Sequence, residues 1–190
     1  MIEWLLVPIA YLLGSISSAI IVCQVMNLPD PRGEGSGNPG ATNVMRFGGK
    51  KAAAITLGGD LLKGLIPVVV AQVLDVSALQ LSLIGLAAFL GHLYPVFFEF
   101  KGGKGVATAF GVFSGFSGLL GLAVLVTWFA VYKSFKISSL SALTAAVIAP
   151  VYAWFIMGET EIVSVAVLMS VLLLYRHKTN IERLLAGTET

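Results

Sequence analysis

The chain has 190 residues, 57% of them hydrophobic and 12% charged, with a formal net charge of +2. Soluble domains carry about 25% charged residues, so this composition describes an integral membrane protein, and so small a basic excess excludes nucleic acid as a partner. The single cysteine, Cys23, lies in an apolar run and excludes a disulfide framework or a zinc cluster.

In chain order, the first apolar stretch is too long, and lacks the basic start, for a cleaved signal peptide. It predicts a spanning helix over residues 4–26. A polar loop over 27–52 follows, holding GSGNPGATN (35–43). Further spans are predicted over 53–73, 78–98, 139–157 and 161–175, each near the roughly 20 apolar residues a crossing needs. The stretch 106–132 is ambiguous, because GVFSGFSGLLG (111–121) interrupts it.

Charge resolves the ambiguity, since lysine and arginine near helix ends favour the cytoplasmic side. If 106–132 crosses once, Lys133, Lys136, Arg176, Lys178 and Arg183 fall outside and the acidic turn 158–161 falls inside. If it crosses twice, every lysine and arginine in a loop or tail lies inside, and Asp75, Glu159 and Glu161 lie outside. The expected fold is therefore all-α, a single domain over 1–190 with seven transmembrane helices, two of them short. The N-terminus is outside and the C-terminus cytoplasmic. Four polar clusters, 27–52, 99–105, 133–141 and 176–190, then meet at the inner face.

Each cluster has a chemistry and a plainer alternative. Glycine-rich turns bring successive backbone N–H groups together as an anion nest, and Ser36, Thr42, Asn43 and Arg46 add donors and charge to the first loop. The alternative is a flexible connector. Gly35, Gly37 and Gly40 spell GxGxxG, but no strand precedes them, so a dinucleotide fold is not implied. Gly102, Gly103 and Lys104 form a second candidate phosphate turn at a helix start, where the dipole favours anions; the alternative for Lys104 is a membrane anchor. His92 reads as a capping or packing residue. Ser138, Ser139 and Ser141 stand at a helix start, where serine caps and where one of them is free to face a ligand. His177 and Asn180 share a helix face, with Ile181, Leu184 and Leu185 on an apolar side. Arg176 and Lys178 serve equally well as basic anchors. Asp60 and Lys63, three apart within a span, read as a local pair supporting the loop above.

Covalent catalysis finds few candidates. Residues 115–118 (GFSG) are similar to the serine motif of rhomboid intramembrane proteases, but the later histidine, His177, is expected at the opposite face. The acyltransferase pattern of histidine five residues before aspartate is absent, since Phe97 and Glu182 stand five after His92 and His177, and the carboxylates are too scattered for a metal site. What remains is a site of amides, hydroxyls and cations, suited to phosphate-bearing ligands in a lipid setting. A small anion channel or transporter is the competing class; against it, the outer loops offer almost no polar entrance.

GSISSAI (14–20), LPDPR (28–32), GSGNPGATNVMR (35–46), DLLKG (60–64), GHLYPVFFEFKGGKGVAT (91–108), SSL (138–140) and RHKTNIERL (176–184) occur in the order seen in one family. The chain resembles the bacterial acyl-phosphate:glycerol-3-phosphate acyltransferases, the PlsY family, over essentially its whole length. The resemblance implies transfer of a fatty acyl group from acyl phosphate to the 1-hydroxyl of sn-glycerol 3-phosphate, giving lysophosphatidic acid and phosphate without metal or cofactor. It implies an inner-membrane protein working at the cytoplasmic side, with membrane lipid around it and the acyl-phosphate-forming enzyme as a partner. Carried residue by residue, it makes Arg46, Lys104, Ser139, His177 and Asn180 catalytic. Ser36, Gly37, Gly40, Thr42, Asn43, Gly102, Gly103 and Ser141, with Arg46 and Lys104, become the phosphate- and substrate-binding set.

Overall fold

A computed structural model describes residues 2–189. Among them the regular structure is entirely helical. A 3-10 turn at Ile2–Leu5 leads into α1 (Leu6–Gly14), and α2 (Ser18–Val25) continues it after a 44° bend. The span expected over 4–26 is therefore broken. Ser15 Oγ donates back to the Tyr11 carbonyl at 2.8 Å, a bond that competes with the helical ladder and bends it.

The third helix, α3 (Ala41–Val73), starts well before the expected residue 53. A break at Gly49 (φ 78°, ψ −179°) divides it into a first limb carrying Asn43 and Arg46 and a long second limb. α4 (Ala78–Leu93) opens with a reciprocal Ser77–Gln80 cap and ends at a 3-10 turn, Val96–Phe98. The ambiguous stretch does divide, at extended Ser117 (φ −158°), into α5 (Val106–Phe116) and α6 (Gly118–Phe135). The Gln72 amide donates to the freed Phe116 carbonyl at 3.0 Å. Only α5 is short: its 11 residues reach about 16 Å at 1.5 Å per residue. The expectation of two short helices is corrected by α6, whose 18 residues extend to Phe135. α7 (Ser138–Ile156) and α8 (Thr160–Arg176) follow, and α9 (Lys178–Leu185) leaves α8 at 62°.

Among the described residues four helices are long and apolar enough to cross a membrane, six if each bent pair counts as one, and α5 is a shorter apolar helix beside them. Helices in lipid associate through small residues that let backbones approach, and this bundle does so. A Cβ on Gly111 would strike the Leu61 carbonyl where α5 meets α3, and one on Gly14 would strike the Ala88 carbonyl where α1 meets α4. One apolar core runs through α3–α8, built from Ile84, Phe89, Val112, Phe116 and Leu120 with alanines of α7 and α8. Large apolar side chains such as Val73, Trp154 and Phe155 face outward, as lipid contact requires.

Candidate active site

One cavity of about 320 Å³ enters the bundle among α3, α5, α6, α7 and α8. Its polar end collects the starts of three helices, α3 at Gly40–Thr42, α5 at Gly105–Ala107 and α7 at Ser138–Ser139. None of the three has a side-chain cap. The first N–H groups of a helix lack internal partners and carry the positive end of its dipole, so three such ends make a strongly anion-seeking surface. Gly105 adopts φ 90° at its helix start, the left-handed region glycine tolerates. Arg46, Lys104 and Arg183 add full charges on the same wall.

The first glycine loop builds this surface in an unexpected way. Asn43 is buried, and its side chain is fully engaged within the loop. Its Oδ1 accepts the Ser36 N–H at 2.9 Å, and its Nδ2 donates to the Pro31 and Glu34 carbonyls, both at 2.9 Å. The Gly37 N–H donates to Glu34 and the Gly40 N–H to Asn38, each at 2.9 Å. The loop thus uses its own amides to hold its shape, and presents Ser36 and the first turn of α3 to the cavity.

The second turn is held from beneath. The Gly103 N–H donates to the His92 carbonyl at 3.1 Å. Arg176 donates to the Gly102 carbonyl at 2.7 Å and the Gly103 carbonyl at 3.2 Å, while its guanidinium lies over the Tyr94 ring. Lys104 projects from this turn, and its Nζ donates to Asn180 Oδ1 at 2.5 Å. Burial, reinforced by Arg183, Arg176 and Arg46, pushes the Lys104 ammonium below its ordinary pKa, with Glu189 opposing.

His177 occupies the bend between α8 and α9, 3% exposed. Its Nδ1 lies 2.8 Å from the Leu173 carbonyl, the geometry of an Nδ1–H donor. The neutral ring then offers Nε2 as an acceptor. Burial lowers its pKa to about 4, the Leu173 hydrogen bond opposing and Lys104 adding to the fall.

Ser36, Gly40, Thr42, Asn43, Arg46, Lys104, Ser139, His177 and Asn180 all line the cavity, as the sequence leads one to expect. Gly37, Gly102, Gly103 and Ser141 do not. The two glycines of the second turn serve as its anchor points, and Ser141 is buried with its hydroxyl donating to the Ile137 carbonyl at 2.8 Å. Five residues were not anticipated at the site. Arg176 clamps the second turn. Arg183 lines the cavity, as do Asp60 and His92 beneath the two turns. The fifth is Glu189. Gly187 (φ 69°) ends α9, and the chain folds back. The Glu189 carboxylate then accepts from Ser139 Oγ at 2.7 Å, and from Asn180 Nδ2 and Arg183 Nε at 2.5 Å. Burial acts to raise its pKa, but these donors outweigh that and hold it below the usual carboxylate range. The glycine after α9 is the only local signal of that reversal.

The other end of the cavity is apolar. Leu57, Leu61, Phe110, Phe113, Val124, Trp128, Ala145, Ala146, Met169 and Leu173 line it. Phe113 lies seven residues along α5 from Val106, about 10 Å inward at 1.5 Å per residue. Among the described residues no cluster of histidine, cysteine, aspartate or glutamate could hold a metal ion.

Residues 4–187 match the family described as glycerol-3-phosphate acyltransferase. A glycerol-3-phosphate acyltransferase of Methylococcus capsulatus is 62% identical over 188 residues, covering 99% of this chain and 95% of its own. That of Thioalkalivibrio sulfidiphilus is 57% identical over 180 residues, covering 95% and 89% respectively. The chain also superposes on a crystal structure of PlsY (YgiH), an integral membrane glycerol 3-phosphate acyltransferase, in its glycerol 3-phosphate form. The TM-score is 0.95 at 39% identity, covering 100% of this chain and 95% of that one. The lysophosphatidic acid form of the same protein gives a TM-score of 0.92 at 38% identity, with the same coverage.

Proposed function

We propose how this chain works from one premise: it belongs to the glycerol-3-phosphate acyltransferase family. It is an integral membrane enzyme that acylates glycerol 3-phosphate to lysophosphatidic acid, an early step of phospholipid synthesis. The donor we assign is acyl phosphate. The observation that carries this reading is a cavity that is anion-seeking at one end and apolar at the other. Such a cavity suits two phosphate-bearing substrates, one of them with a fatty tail.

In this reading, the starts of α3 and α5, with Ser36, Thr42, Arg46 and Lys104, hold the two phosphate groups, whose mutual repulsion would otherwise oppose binding in a partly dry site. Asn43 shapes the first loop. Asn180, bonded to Lys104, and Ser139, both also bonded to Glu189, complete the polar end. The acyl tail lies along Phe110, Phe113 and Met169. The 1-hydroxyl oxygen attacks the acyl carbonyl carbon, the bond from that carbon to the phosphate oxygen breaks, and inorganic phosphate leaves. An acyl phosphate is already activated, so no acyl-enzyme is needed, and orientation supplies much of the rate. In this reading the hydroxyl proton passes to the departing phosphate, which the reaction itself supplies next to the hydroxyl, while burial disfavours a charged His177 ring. Its Nε2 instead accepts a hydrogen bond from the hydroxyl and aims it.

Seven passes with the site on the cytoplasmic side of the inner membrane accommodate the charge distribution. That topology faces the site toward the enzyme that forms acyl phosphate. The test is direct. Purified protein receives glycerol 3-phosphate with either acyl phosphate or an acyl-CoA, and lysophosphatidic acid and free phosphate are measured. Equal amounts of both products, with acyl phosphate alone, are expected; turnover with acyl-CoA alone would overturn the assignment of donor.

A further inference from the structure

Three titratable side chains lie deep in the bundle without a part in the chemistry just described. Asp60 is 3% exposed, Lys63 9% and His92 7%. Ionisable groups within a membrane span are costly and seldom kept for packing alone, and here they are connected. Lys63 Nζ donates at 2.8 Å to the Ile16 carbonyl, which lies in the break between α1 and α2. The same ammonium lies 2.9 Å from Asp60 Oδ1, and His92 Nδ1 lies 3.5 Å from that oxygen. The opposite edge of the imidazole packs beneath Gly103, where an added Cβ would strike Nε2, and the His92 carbonyl takes the Gly103 N–H. A hydrogen bond, two ion-pair contacts and a packing contact therefore lead from the broken first helix to the residue before Lys104, with neither Asp60 Oδ1 nor His92 Nδ1 held by a hydrogen bond. Apolar side chains of equal volume would fill this space at lower cost, so the charges point to a demand for geometry.

We propose that Asp60, Lys63 and His92 form a positioning unit that fixes the 102–104 turn and so sets where the Lys104 ammonium stands during acyl transfer. Asp60 and His92 reach the cavity wall, and the proposal gives them their effect through the turn and not through the substrate. The inference rests on the reading of Lys104 as a substrate-binding cation.

A double-mutant cycle tests it, because residues acting through one another are non-additive while a general loss of folded protein multiplies in every background. His92→Phe keeps bulk beneath Gly103 and removes the link to Asp60. In otherwise unchanged protein it lowers kcat/KM for glycerol 3-phosphate between about tenfold and a hundredfold, the range for a small misplacement. In a Lys104→Gln background the same substitution changes kcat/KM by less than about twofold, well inside the non-additivity expected of coupled residues. Binding of glycerol 3-phosphate, followed by calorimetry, gives the same pattern where turnover is too slow to measure. Should His92→Phe fail to fold, the paired Asp60→Asn, Lys63→Gln variant, which leaves no lone buried charge, replaces it in the cycle. An equal fold-loss in both backgrounds overturns the proposal, as does wild-type kcat/KM in His92→Phe. Wild-type activity in Lys104→Gln alone would instead remove the reading of Lys104, and the proposal with it.

Discussion

The two glycine turns look alike in sequence and are built in opposite ways. Loop 35–43 is held by its own Asn43, whose side chain reaches three backbone groups of the nearby segment 31–36. The 101–105 turn is held from outside, by the Arg176 guanidinium and the His92 carbonyl. In each, part of the backbone that composition offers to an anion is used to hold the turn: the Ser36, Gly37 and Gly40 N–H groups in the first and the Gly103 N–H in the second. The helix start that follows each turn, together with one cation, is what lines the cavity beside it, Arg46 on the first side and Lys104 on the second. Glycine-rich composition therefore marks where an anion site is built more reliably than it marks which atoms make the contact.

The largest expected effect follows from Lys104, the side chain that the second turn exists to present. Lys104→Ala should reduce turnover by about 10²–10³-fold, the loss seen when one well-placed donor to developing charge is removed. Near-normal turnover in folded protein would make the two turns functionally equal and exclude Lys104. Removing the inner brace comes next. Asn43→Ala leaves the Ser36 N–H and the Pro31 and Glu34 carbonyls short of a partner. It should cost about 1–3 kcal/mol of stability, seen as earlier thermal unfolding in detergent, together with a raised KM for glycerol 3-phosphate. An unchanged KM would mean that the first loop's shape is not its contribution.

Removing the outer clamp should be milder. Arg176→Gln loses two bonds to Gly102 and Gly103, but the His92 carbonyl remains, so a fall in kcat/KM of about tenfold is expected, equivalent to about 1.4 kcal/mol. Lys cannot reproduce the planar fork, so Arg176→Lys should recover only part of that loss; full recovery would reduce Arg176 to a charge. The smallest expected change concerns His177. Burial lowers its pKa to about 4, so the ring is neutral above that pH and charges only below it. Its carbon and nitrogen NMR signals should be constant between about pH 5 and 8. A titration near the ordinary value of about 6.5 would restore it as a candidate base.

Much of this was legible in the chain, and the gaps have physical causes. Apolar runs and the lysine and arginine asymmetry located the helices and divided 106–132, because lipid leaves few alternatives to a helix. The start of α3 was placed late, since GATNVMRFGGKK is polar enough to read as loop until Asn43 and Val44 are buried by tertiary contact. The break in α1–α2 was missed because GSISSAI is apolar enough to continue as helix; what it provides, the Ile16 carbonyl for Lys63, comes from a residue 47 positions away. Lys104, His177 and Asn180 were expected together because their clusters stand out against an apolar background and match one family's motifs, and all three line the cavity. Asp60, His92, Arg176 and Glu189 were read locally, as pair, packing, anchor and tail, because their roles depend on partners far along the sequence or on a chain reversal.

The central claim is that one cavity joins the phosphate-holding end to a channel for the fatty tail. The most direct measurement places a photoreactive group at the far end of the acyl chain of an acyl phosphate, irradiates the complex with purified protein, and maps the modified residues by mass spectrometry. Labels on Phe113, Val124 or Met169, suppressed by unlabelled acyl phosphate, are the expected result. Labels confined to the turns at 74–77 and 157–159, at the other end of the bundle, would contradict it.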